Sequence, residues 1–118
     1  MKPIELKNFD APDEVREFPN GKLELVNIGD GVVGKLSLNP GWQWSRDVKP
    51  IVGTDLCEAP HFQYMVSGRL IIQTEDGKEY ESGPGDVVKL AAGHDAWVLG
   101  DEAVVVIDWN GATNYAEV

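Results

Sequence analysis

Apolar and polar residues alternate along this chain in short runs, and a glycine or proline closes nearly every run. In His61-Phe62-Gln63-Tyr64-Met65-Val66 a period of two places His61, Gln63 and Met65 on one face. Runs of this length, rich in Val, Ile, Leu and aromatics, predict strands over 22–28, 32–38, 42–45, 61–66, 69–74, 79–81, 86–90, 96–99 and 103–109. Helical periodicity is nearly absent. Ser67-Gly68 and Asp76-Gly77 predict hairpin turns in which glycine supplies positive φ, and Gly83-Pro84-Gly85-Asp86 predicts a third turn. Many short strands between such turns predict an all-β sandwich or barrel.

The polar, proline-bearing segment 1–21 is predicted to be an N-terminal arm, 22–109 the barrel, and 110–118 a C-terminal tail, all within a single domain of 118 residues. Twenty acidic against ten basic residues give a net charge of −10. That field repels phosphate, so nucleic acid and anionic membrane surfaces are poor partners. A local basic patch at Arg46, Lys49 or Lys89 remains compatible with a small acid. Cys57 is the one cysteine in the sequence, which excludes an intrachain disulfide. The charged start reads as no signal peptide and no apolar run reaches membrane length, so a cytoplasmic location is expected.

Two segments carry a resemblance. Tyr64-Met65-Val66-Ser67-Gly68-Arg69-Leu70, together with Gly83-Pro84-Gly85-Asp86-Val87-Val88 running on to Gly93-His94-Asp95-Ala96-Trp97, resembles the paired motifs of the cupins over roughly 22–109. The resemblance implies a cupin jelly-roll β-barrel, the double-stranded β-helix, which in the family usually holds a metal through three histidines and a glutamate. The glutamate's place, seven residues before Gly68, is taken by His61. The family's His-x-His falls on Asp55 and Cys57 counting back from Gly68, or on Asp47 and Lys49 counting forward from Gly41. The counts differ because 50–55 reads as an insertion, and neither gives histidines. In the second motif Ala91 replaces the family's proline, Ala96 stands at the histidine's place, and His94 lies two residues earlier. The blocks Gly41-Trp42-Gln43-Trp44-Ser45, Val48-Lys49-Pro50 and Gly93 to Val98 resemble a subgroup of small stand-alone bacterial cupins, which implies the scaffold and no particular reaction.

His61 reads either as a metal ligand or general base, or as a histidine hydrogen-bonded at the barrel mouth. Cys57, His61 and His94 form a candidate three-ligand set, against which stands the common role of a buried cysteine as a small core hydrophobe. A catalytic Cys57–His61 pair would need the imidazole to activate the thiol. Trp42, Trp44 and Trp97 either wall a pocket with His61, Gln63 and Met65 or pack the core. Two readings compete. In the first, the barrel binds a small molecule in its central pocket and the usual metal site is degenerate, with no cofactor. In the second, it is a metal-dependent enzyme of the dioxygenase or isomerase type that uses a reduced ligand set around His61 with a divalent metal (Zn, Fe, Ni or Mn). A homodimer formed by covering exposed strand edges is expected in either case.

Overall fold

Alternation sorts the side chains of each run onto two faces, and two antiparallel sheets result. The computed structural model describes residues 3–57 and 60–109. The strands among them are β1 (Glu14–Phe18), β2 (Gly21–Ile28), β3 (Gly31–Leu38), β4 (His61–Ser67), β5 (Arg69–Thr74), β6 (Glu79–Ser82), β7 (Val87–Leu90), β8 (His94–Leu99) and β9 (Val104–Asp108). Six of them form one sheet in the order β1-β2-β3-β9-β4-β7, and the other three form a second sheet in the order β6-β5-β8. Leu23, Leu25, Leu36 and Leu38 of the first sheet share one core with Leu70, Ile72, Ala96 and Val98 of the second. The all-β barrel read from the sequence is the observed architecture. No helix among the described residues is long and apolar enough to cross a membrane.

Four local expectations need correction. Residues 42–45 are not a strand. Gln43 makes an isolated bridge to Trp97, and the chain then turns into two one-turn helices, α1 (Trp44–Asp47) and α2 (Lys49–Val52). Carboxylates take the backbone donors that a neighbouring strand would have needed: Ser45 N–H donates to Asp95 at 3.1 Å and Gln43 N–H to Asp47 at 3.0 Å. Pro50 sits in the first turn of α2, where its missing N–H costs nothing.

Ser67-Gly68 is not a hairpin, because it carries the chain from β4 in one sheet to β5 in the other. Gly68 has φ +75, and a Cβ there would lie 2.6 Å from the Ala103 carbonyl oxygen, so both conformation and space demand glycine. The Asp76-Gly77 hairpin does form, with Gln73 paired to Glu79. Within the predicted arm, 14–18 forms the edge strand β1 on β2. Buried Phe18 fills the space that a side chain at Gly21 would occupy. The strand predicted over 96–99 starts earlier, at His94, which therefore faces inward with Ala96. The predicted tail 110–118 lies outside the described residues.

Candidate metal centre

Three segments deliver donors to one end of the barrel. His61 opens β4 in the large sheet, and the alternation of that strand buries His61, Gln63 and Met65 while exposing Phe62, Tyr64 and Val66. His94 opens β8 in the facing sheet. Cys57 is pinned beside it, because Cys57 N–H donates to the His94 carbonyl at 2.7 Å and Gly93 N–H to the Cys57 carbonyl at 2.7 Å. The ligand atoms of Cys57, His61 and His94 all lie within 4.8 Å of one another, and all three residues are buried. Cys57 Sγ is 3.8 Å from His61 Nε2, and the two imidazoles meet edge to face at 5.2 Å between centroids.

Hydrogen bonding orients both imidazoles. His94 Nδ1 is 3.0 Å from the Ala91 carbonyl oxygen, which can only accept, so Nδ1 carries the proton and the lone pair sits on Nε2. His61 Nδ1 donates to a carboxylate oxygen of Asp108, whose other oxygen accepts the Phe62 N–H at 3.3 Å. That arrangement turns His61 Nε2 toward the Cys57 sulfur, 3.8 Å away. A carboxylate or carbonyl behind each imidazole is the usual support of a metal-bound histidine. Burial, and then the neighbouring His61, pull the His94 pKa down to about 4, so His94 is neutral near pH 7 with its lone pair on Nε2.

Thiolate and imidazole suit zinc or iron, and bond lengths of about 2.0–2.3 Å require each donor to move inward by less than about 1 Å. The donor set fits a metal ion. Cysteine with two histidines leaves room for an outside ligand, as catalytic rather than structural sites do.

Asp108 was missed as a site residue. Its signal was present: in Val104-Val105-Val106-Ile107-Asp108 the same alternation that buries Val104 and Val106 puts a carboxylate on the inward face. Asp108 is 0% exposed, where an isolated carboxylate is costly and a partnered one is expected. Of the remaining predicted pocket residues, Trp42 and Gln63 line an interior cavity of about 30 Å³ together with His61 and apolar side chains that include Leu70 and Val106. Met65 and Trp44 are buried in the core and do not line this cavity. Trp97 lines a separate, shallower groove of about 240 Å³ with Gly41, Trp42, Gln43 and Val98. Buried Asp95 ties that region together by accepting from Gln43 Nε2 at 3.3 Å and from the Ser45 N–H.

Two facing antiparallel sheets with candidate donors converging at one end define a jelly-roll barrel. Solved structures place this architecture among the cupins. A sugar phosphate isomerase of the cupin superfamily from Silicibacter pomeroyi superposes with TM-score 0.62 at 17% identity, over 88% of this chain and 73% of that one. A protein of unknown function from Rhizobium leguminosarum gives 0.60 at 19% identity, over 93% and 97%. Lactobacillus farciminis oxalate decarboxylase, in a formate complex, gives 0.59 at 16% identity over 86% of this chain, which spans 32% of that longer protein. No family model and no curated protein matches the sequence. At these identities the likeness is one of fold: the chain has the cupin fold.

Proposed function

We propose that this protein is a metal-binding cupin whose centre is Cys57, His61 and His94, with Asp108 holding His61. The observation that carries the reading is the convergence of three buried ligand-bearing side chains, with both histidines anchored through Nδ1. The interior cavity that His61 lines, about 30 Å³, accommodates small ligands and not a sizeable organic molecule. A divalent ion held there would supply Lewis-acid polarisation of a bound oxygen, the chemistry on which isomerase-type reactions draw. The chain's own part is to hold the donors dry and oriented.

Metal analysis of untagged protein tests the reading. Stoichiometric zinc or iron is expected after reconstitution, together with its loss in His61→Ala. Metal-free wild-type protein, or undiminished metal in His61→Ala, would sink it. The reading includes pairing with a second copy. Phe62, Tyr64 and Val66 of β4, Val87 of β7 and Trp109 just after β9 are exposed, with the Phe62 and Trp109 ring centroids 6.4 Å apart. A second copy covering these apolar side chains gives a dimeric mass by light scattering, and a monomeric mass refutes the pairing.

A further inference from the structure

Trp42, one of the residues that line the interior cavity, carries a hydrogen-bond donor that the fold does not use. Trp42 is buried, and its Nε1–H has no hydrogen-bond partner among the described residues. A buried donor without a partner is uncommon and costly, so a native protein that keeps one usually has a use for it. The position of Trp42 is fixed from both sides: its backbone N–H donates to Asn39 at 3.0 Å, and its carbonyl accepts from Val98 N–H at 3.0 Å. Its side chain lines the same cavity as His61 and Gln63, and the rest of that wall is apolar. Ser82 Oγ, the other buried unpartnered side-chain atom among the described residues, does not line this cavity.

Three properties then select the ligand. The cavity, about 30 Å³, fits two or three non-hydrogen atoms. Indole N–H can donate and never accept, so the ligand must present an acceptor. A divalent ion bound by one thiolate and two neutral imidazoles carries one net positive charge in its immediate shell, and the Asp108 carboxylate offsets it only from the far side of the His61 ring, so the open position beside His61, the one of the three ligands that lines this cavity, favours an anion. We propose that the cavity binds a small anion of carboxylate or triatomic type at the metal centre, with Trp42 Nε1–H as its hydrogen-bond donor. This inference rests on the metal-binding reading of Cys57, His61 and His94.

The test uses azide, with formate as a second probe, titrated into zinc-loaded full-length protein whose metal content is measured alongside. Trp42→Phe removes the N–H while keeping an aromatic ring, and is expected to weaken azide binding by roughly tenfold or more, the usual worth of a hydrogen bond to a charged group. In the wild-type protein the Trp42 indole ¹H–¹⁵N resonance should move downfield on adding azide to the zinc-loaded form and stay still in the metal-free form. If Trp42→Phe does not fold, this wild-type resonance decides the matter. Zinc-loaded protein that ignores azide, or binds it without moving the Trp42 resonance, overturns the inference and leaves the metal reading standing. Wild-type protein that takes up no zinc overturns both.

Discussion

The two ends of the barrel are built on the same strands and held in opposite ways. Along β4 the inward positions run Met65, Gln63, His61; along β9 they run Val104, Val106, Asp108; along β8 they run Val98, Ala96, His94. Each row begins apolar and ends polar at the same mouth. At the apolar end burial and close packing stabilise the fold without any need for partners. At the mouth every ionisable group is buried too, and hydrogen bonds have to compensate: Asp108 is held by His61 and the Phe62 N–H, and His94 by Ala91. The alternation of a strand therefore fixes which residues face inward, and residue type at those positions decides whether the interior is core or site.

The largest effect that separates the two ends is on stability at the apolar end. Met65 is 0% exposed, and Met65→Ala leaves a cavity that the packed sheets cannot fill. The expected cost is about 2–5 kcal/mol in urea unfolding of the metal-free protein, with metal stoichiometry retained. Loss of metal along with stability would mean the two ends are not independent.

Acid addresses the other end. His94 has a folded-state pKa of about 4 against an ordinary 6.5, because burial and His61 disfavour its charge. Between those values the unfolded chain takes up a proton that the folded chain refuses, so stability falls as pH drops from 6.5 to 4 and is fully present above that window. The contribution of this one group is roughly 3 kcal/mol across the window. Urea titrations of chelator-treated protein over that range check it. His94→Gln should flatten the slope, and a variant with wild-type slope would assign the acid sensitivity to other groups.

The sequence disclosed these two ends unequally. Inward-facing His61, Gln63 and Met65 follow from a period of two, which needs no knowledge of the partner strand. Counting positions on the cupin motifs reached Cys57 and His61, whereas His94 falls two residues before the place of the family's histidine and faces inward because β8 starts there. Residues 44–52 were less legible, since the carboxylate that captures the Ser45 N–H is Asp95, fifty residues away. Gly68 revealed its positive φ but not that the next strand joins the opposite sheet, because turn chemistry is local and sheet membership is not. Asp108 was hidden by its place at the end of an apolar run, where a charged residue reads as the point at which a strand meets solvent.

Asp108 is also where the comparison can be drawn most finely. Asp108→Asn changes one oxygen to an amide and hardly alters volume, so the apolar packing around Val106 should survive. What changes is the group behind His61. A carboxylate accepts the Nδ1 proton and makes Nε2 a better donor to a metal, whereas a neutral amide accepts more weakly and can instead turn its NH₂ toward the ring. The second case would favour the tautomer whose Nε2 carries a proton, and that nitrogen can no longer bind metal. Metal affinity measured by chelator competition should therefore fall about 10–100-fold, the usual effect of removing such a support. Cys57 and His94 keep their own anchors to each other and to Ala91, so binding is weakened rather than lost. Unchanged affinity in Asp108→Asn would make the buried carboxylate part of the core after all, and the boundary between the two ends would move outward past His61.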